Sequence, residues 1–329
     1  MSSGDETPAR PFILCREGEA VPAALAGAVA ALGNFDGVHR GHRALIETVR
    51  ARAARAGRPA VVLTFEPHPR AFFSPALPMF RLTGPGAKEV VFRRLGLDGL
   101  IVRRFDAALA GTGARDFVHG LLKGELGLSG VVIGHDFHFG RGREGNPAIL
   151  ADLCREAGLD CVVVPAVSLE AGAEPVSSSA IRRALTEGDV AAANALLGYR
   201  WFVEGRVRHG DKRGRVLGFP TANVALGDCA LAHGIYAVRA RLADGRVVDG
   251  VASYGRRPTF DDGAPLLEVN LFDFSGDLYG QDIAVELVDF IRGEERFPDA
   301  DALVARMEID AREARERLAA DAVPSMLGA

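Results

Sequence analysis

The sequence predicts a parallel-sheet α/β domain followed by an antiparallel β-barrel with a terminal helix. Three observations carry that expectation. Short apolar runs alternate with helix-like segments through the first half, the pattern of βαβ units around a sheet covered on both faces. Near Gly198 the helical periodicity fades and β-type runs take over. Each chemically unusual stretch of the first half follows a predicted strand, where open parallel sheets bind their ligands.

The elements follow in order. "AVAAL" leads into a glycine-rich stretch, and "RALIETVRARAARAG" then places apolar residues at helical spacing. "PAVVLTF", "DGLIVRRF", "GVVIG" and "DCVVVPAV" read as buried strands. Between them "AKEVVFRRLG", "ARDFVHGLLKGELG" and "PAILADLCREAG" read as helices, and "SSSAIRRALTEGDVAAANALLG" as a helical bridge between the halves. "RWFVEGRV", "IYAVRARL", "RVVDGVASY", "PLLEVNLFDF" and "DIAVELVDFI" supply barrel strands. "ADGR" is a hairpin turn and "FSGDLYGQ" is expected to be a longer hairpin connection. The tail "ADALVARMEIDAREARERLAA" is a charged helix whose apolar stripe would pack on the barrel. There is no internal repeat and no low-complexity segment.

A chain of 329 residues is long enough for two ordinary domains. With 48% hydrophobic and 25% charged residues it has the profile of a globular protein. A formal net charge of −4 gives no footprint for nucleic acid. Cys15, Cys154, Cys161 and Cys229 form no CxxC pair, so no zinc signature or disulfide framework is expected, which fits a reducing cytosol. No apolar leader opens the sequence, and no apolar run approaches the ~18 residues of a membrane span. The expectation is a cytoplasmic protein with no membrane or nucleic-acid partner and at most weak homo-oligomerisation.

Two regions carry chemistry. In "GNFDGVHRGH", Gly33, Gly37 and Gly41 let the backbone turn tightly and approach a ligand at a helix start, where free amides favour phosphate. His39 and His42 at that entrance can donate to phosphate oxygens. By itself the stretch is equally a glycine turn with two solvated histidines, and a metal would need further ligands in spacing. "GHDFHFGRGREG", with Asp136, two aromatics, Arg141 and Arg143, is too polar and glycine-rich for simple packing. "VSSSAIR" puts Ser177, Ser178 and Ser179 at a helix start with Arg182 one turn in, although serines there also serve as ordinary caps. In the second region, "GRVRHGDKRGRVLGFPTANV", Gly210, Gly214 and Gly218 would let a loop fold over phosphates ahead of a compact "GFPTAN". As structure alone, "FPTAN" is a proline turn entering a strand. No GxxxxGK[ST] occurs, so there is no P-loop. Glu268 lies between apolar residues in "PLLEVNLF", as a positioned carboxylate or as a glutamate on the wet face of a strand.

"GNFDGVHRGH", "TFEPHP", "GHDFHFGRGREG" and "VSSSAIR" occur in order and closely resemble the Rossmann-like nucleotidyltransferase half of prokaryotic bifunctional riboflavin kinase/FMN adenylyltransferases, the FAD synthetases. The HxxH is a relative of the HxGH signature of that superfamily. "GFPTAN", "HGIYAV", "GRRPTF", "LLEVNLFDFSGDLYGQ" and "FIRGEERF" resemble the flavokinase barrel of the same family. The resemblance spans about Phe12 to Leu318 and implies an adenylyltransferase domain over 12–196 and a kinase domain over 197–320.

The resemblance implies two reactions. Riboflavin and ATP give FMN and ADP, and FMN with a second ATP gives FAD and pyrophosphate, with Mg²⁺ as the metal. It places His39 and His42 on ATP phosphates as charge stabilisers rather than bases, with Gly33, Phe35, Gly41, Ser177, Ser178 and Arg182 also on the ATP side. Asp136, Phe137 and Arg143 fall to the FMN part of that site. In the barrel it assigns Thr221 and Asn223 to Mg²⁺ and nucleotide phosphates and Glu268 to general base. Arg292 and Phe297 shape the flavin end. The chemistry suits these residue types. The flavin phosphate is already an anion and needs positioning and positive charge rather than a base, whereas a neutral riboflavin hydroxyl benefits from a carboxylate. The chain departs from the family at Pro175, where many relatives carry arginine, at Ser253-Tyr254, and at Asn270, where histidine is usual. The rival readings are a chain with one activity only, the kinase, and a flavin- or nucleotide-binding regulator with little turnover.

Overall fold

The computed structural model describes residues 11–209, 219–256 and 265–328. By packing these fall into two units, one reaching Pro78 and resuming over Lys88–Pro175, the other comprising Met79–Ala87 and the chain from Val176 onward.

The first unit holds β1 (Ile13–Cys15), β2 (Val29–Leu32), α1 (Arg40–Ala56), β3 (Ala60–Glu66) and α2 (Pro69–Phe73). Most of α3 (Pro85–Arg94) follows, then β4 (Gly99–Arg104), α4 (Ala107–Ala110), α5 (Ala114–Asp116), β5 (Gly130–Gly134), α6 (Pro147–Ala157) and β6 (Asp160–Val164). The strands form one sheet in the order β1-β4-β3-β2-β5-β6, parallel throughout. Every residue of β2 is buried, as expected of a strand covered on both faces. Strand order reverses at β2, which has β3 on one side and β5 on the other. The loop leaving its carboxyl end therefore sits at the switch point where such sheets open a crevice. That loop is "GNFDGVHRGH".

The segment expected as one helix, "ARDFVHGLLKGELG", begins as α5 and continues as a π-helix over Phe117–Glu125. Two of its residues, Gly120 and Gly124, are poor α-helix formers. Its winding still delivers Phe117, Val118 and Leu122 to the core with Leu63, Ile101, Val131 and Ile133.

The second unit contains α7 (Ser178–Glu187), α8 (Val190–Leu197), β7 (Phe202–Arg208), β8 (Ala222–Ala225), β9 (Gly234–Arg241), β10 (Val247–Arg256), β11 (Pro265–Leu271), β12 (Asp282–Arg292) and a final helix α9 (Ala300–Ala320). The expected helical bridge is two helices, parted where Gly188 ends α7 and the Asp189 side chain caps α8. The six strands close into an antiparallel barrel in the order β10-β11-β8-β7-β12-β9. Tyr254, Leu267, Val224 and Val207 lie opposite one another in successive strands and are all buried, so they fill the interior. α9 covers part of the outside, packing Ala314 and Leu318 on Ala237, Phe272 and Val288.

One expectation is corrected. "FSGDLYGQ" is not a hairpin connection, because β11 pairs with β10 and β8 while β12 pairs with β7 and β9. Both edges of β11 are taken, so the chain crosses to the other side of the barrel. The buried Asn194 helps fix that region: its Nδ2 donates to Leu287 O at 3.0 Å and its Oδ1 accepts from Trp201 N at 2.8 Å. Buried Glu286 is held by Arg200 and Ser325, which ties the C-terminal segment to the barrel.

Candidate active sites

The histidine loop is strained and tightly held. Phe35, Gly37 and Val38 all take positive φ, at 50°, 91° and 41°. For non-glycine residues such geometry costs about 1–3 kcal/mol each and persists only where the surroundings enforce it. Here Phe35 and Val38 are completely buried. The Phe35 ring lies 5.0 Å from the His42 ring and meets Phe92 edge-on at 5.6 Å. Gly33 packs close beneath this ring: a Cβ there would come within 3.2 Å of Phe35.

His39 is the N-cap of α1, its Nδ1 accepting from His42 N at 3.3 Å. An accepting Nδ1 carries no proton, so in the neutral ring the hydrogen is on Nε2, available to an incoming oxygen. The two imidazoles stack at 3.7 Å and 19°. Burial pulls His39 down to about 4 against the opposing charge of Asp136. Burial first, then His39 and Lys88, holds His42 well below the usual histidine range. Both rings are therefore neutral donors at pH 7. His42 Nδ1 is buried with no hydrogen-bond partner among the described residues, a polar atom that a bound ligand can satisfy. Beside it, the first turn of α1, with Arg40 and Gly41, brings the positive end of the helix dipole to the loop.

Asp136, exposed in the loop after β5, lies close enough for its charge to act on His39. Phe137 stacks on Phe139 at 5.8 Å. Phe139 in turn bridges to Gly145, where a Cβ would sit 2.5 Å from the Phe139 ring. Arg143 is exposed on a short turn at φ 63°. Ser177 and Arg182 belong to the second unit. Ser177 caps α7, its hydroxyl accepting from Ala180 N at 3.2 Å, and Arg182 Nε donates to Phe80 O at 2.7 Å. Ser178 is the first residue of α7.

Two features escape a reading by motif. One is the buried Lys88, whose Nζ is 3.1 Å from Glu66 Oε1. Glu66 lies inside the quoted "TFEPHP", but nothing marks its partner 22 residues on. The other is an aromatic cluster beside that stretch: Phe72, Phe73 and Phe105 pack edge-to-face at 5.2–5.6 Å. Phe73 is 66% exposed, a large ring left to water where a planar aromatic ligand can stack.

In the barrel, Glu268 on β11 stands opposite Asn223 on β8 and Ser253 on β10. Opposite residues share a face, so these three are on the outer side while Leu267 and Val269 point inward. Glu268 is half-buried, as is Thr221, and Asn223 is only 4% exposed. Asn270, on the same outer face, donates from Nδ2 to Pro220 O at 2.8 Å, pinning the turn that delivers Thr221. Tyr254 sits in the barrel interior with its hydroxyl donating to Cys229 O at 2.8 Å. Arg292 makes a bidentate pair with Asp310, at 2.9 and 2.6 Å, and its guanidinium lies 5.8 Å from the Phe297 ring. Gly210, Gly214 and Gly218 lie outside the described residues.

Comparison with known proteins agrees with this division. Residues 21–180 match the family model described as FAD synthetase, and residues 197–318 match that described as riboflavin kinase. The bifunctional riboflavin kinase/FMN adenylyltransferase of Escherichia coli strain K12 is 39% identical over 291 residues, covering 88% of this chain and 92% of the relative. The chain belongs to the bifunctional riboflavin kinase/FMN adenylyltransferase family. Another member, from Bacillus subtilis strain 168, is 38% identical over 296 residues, again covering 88% and 92%. Among solved structures, the crystal structure of a Streptococcus pneumoniae macrolide-efflux protein superposes with a TM-score of 0.81 at 31% identity, covering 92% of this chain and 98% of that one. Both domains of the family are present on the chain, FAD synthetase first and riboflavin kinase second. No helix among the described residues is long and apolar enough to cross a membrane.

Proposed function

We propose that the two reactions of the family run at the two residue sets described, FMN adenylylation at the histidine loop and riboflavin phosphorylation on the outer face of the barrel. The enzyme makes FMN from riboflavin and FAD from FMN, with ATP as the donor in both steps. The observation that carries the assignment is the contrast in chemistry. A stacked pair of neutral imidazole donors stands at the sheet's switch point, and a carboxylate stands in register with an asparagine on the barrel.

In adenylyl transfer the FMN phosphate oxygen attacks the ATP α-phosphorus and pyrophosphate leaves. His39 Nε2–H and the first amides of α1 donate to the triphosphate, and the unsatisfied His42 Nδ1 is supplied with a partner on binding. Neither histidine acts as a base: the nucleophile carries no proton to remove. Gly33, Phe35 and Gly41 shape the ATP side. Asp136, Phe137 and Arg143 belong to the flavin side, where the exposed Phe73 offers a stacking surface. Ser177, Ser178 and Arg182 are proposed as further phosphate contacts.

In the kinase reaction Glu268 takes the proton of the riboflavin hydroxyl as its oxygen attacks the γ-phosphorus and ADP leaves. Thr221 and Asn223 are neutral oxygen donors, which fit Mg²⁺ when nucleotide phosphates complete its shell; when bound, Mg²⁺ would neutralise phosphate charge there. Gly210, Gly214 and Gly218 would cover the phosphates. Arg292 and Phe297 shape the flavin end, and the bidentate bond to Asp310 supports a framing role for the arginine. The functional boundary is proposed between residues 196 and 197, with domains over 12–196 and 197–320. The lack of a cysteine framework supports a cytoplasmic location.

The test is incubation with riboflavin, ATP and Mg²⁺ followed by chromatography. FMN and FAD should both accumulate. FMN alone would remove the adenylyltransferase half, and neither product would leave a binding protein.

A further inference from the structure

Neutral imidazoles hydrogen-bond to a triphosphate but bring no charge to it. Adenylyl transfer builds negative charge on the departing pyrophosphate, and fixed positive charge in a dry site is the most effective way to offset it. The structure holds such a charge beside the histidine loop. Lys88 is a buried lysine, its side chain only 2% exposed, where a lone ammonium would be very costly. Its Nζ bonds Glu66 Oε1 at the carboxyl end of β3, the strand beside β2.

The packing brings this pair near the histidines. Lys88 and Phe92 are four apart on α3, so they share a face, and both are buried. Phe92 touches Phe35, and Phe35 touches His42. Lys88 therefore lies near enough to His42 for its positive charge to act on that imidazole. Lys88 is too deeply buried for a nucleotide to reach without rearrangement. Its action is through the field, which low local polarity leaves poorly screened.

We propose that Lys88 is a positioning residue of FMN adenylylation, a fixed cation anchored by Glu66 near the His39–His42 stack that favours the pyrophosphate leaving group. This rests on assigning adenylyl transfer to the histidine loop. Without that role, the pair would merely fasten α3 to β3, and the two accounts predict different outcomes.

The test uses the full-length enzyme with Lys88→Met, Lys88→Arg and the double variant Lys88→Met/Glu66→Gln, which removes both charges of the pair together. FAD formation from FMN and ATP, FMN formation from riboflavin, thermal midpoint and the His42 NMR titration are all read. Expected are a 10- to 100-fold fall in kcat for FAD formation in both methionine variants and a KM for FMN within threefold. Lys88→Arg should recover to within fivefold of wild type, FMN formation should stay within twofold, and His42 should titrate higher without Lys88. A double variant that melts like wild type and makes FAD within threefold of its rate would overturn the proposal, as would an unmoved His42 titration. If His39→Ala, assayed alongside, leaves FAD formation unchanged, the assignment of the loop fails instead, and the proposal with it.

Discussion

Glu268 stands directly opposite Asn223 across the β11–β8 ladder, with Ser253 as its neighbour on the other side. The carboxylate is thus fixed by the sheet itself on the outer face of the barrel that also carries Asn223. Cross-strand neighbours have Cβ atoms about 4.5–5.5 Å apart, which puts the proposed base and the proposed phosphate-side amide side by side.

Glu268→Gln keeps the shape and removes the base. FMN formation should fall at least 100-fold, while FAD formation from supplied FMN stays within twofold. Retention of kinase activity near the wild-type rate would return Glu268 to the wet face of a strand.

His39→Ala and His42→Ala should have the reverse effect, each lowering FAD formation about 10- to 100-fold with kinase activity preserved. His39→Ala also removes the cap of α1, a loss of about 1 kcal/mol. Urea unfolding alongside the assay separates that loss from the catalytic one.

The buried His39 makes the fold acid-sensitive. Its folded value of about 4 lies below the unfolded 6.5, so the unfolded chain binds the proton more readily between those values. Stability is complete above pH 6.5 and is lost as pH falls toward 4, by on the order of 3 kcal/mol from this residue. His39→Gln should flatten that part of the stability–pH profile. An identical slope in the variant would show that the acid loss originates elsewhere.

Arg292→Lys keeps the charge but cannot reproduce the two-pronged bond to Asp310. A stability loss of about 1–2 kcal/mol is expected, together with at least a fivefold rise in riboflavin KM if Arg292 frames the flavin end. Loss of stability with an unchanged KM would confine Arg292 to bracing α9 against β12.

Much of this was legible in the sequence because it is local. Buried strands such as "PAVVLTF" and "GVVIG" announce themselves by continuous apolar composition, and the change near Gly198 marks the switch from βαβ units to barrel strands. β1 is not legible in the sequence because its three residues carry no periodicity. The π-helical winding at Phe117–Glu125 is not legible in the sequence because its apolar spacing also fits an α-helix. "FSGDLYGQ" reads as a hairpin because turn residues report a reversal but not which strand comes next.

The sequence by itself determined the two-part architecture and the motif residues at His39, His42, Asn223 and Glu268, and its resemblance to a known family supplied the expected reactions. Tertiary structure alone decided that the histidines are neutral, stacked and half-satisfied, that Glu268 faces Asn223 and Ser253, that Arg292 is bound to Asp310, and that a buried Lys88 pairs with Glu66. The physical reason is that residue type and spacing are written along the chain, whereas burial and charge proximity arise between segments distant in sequence. Those two quantities set whether an imidazole carries a proton and whether a buried lysine is felt.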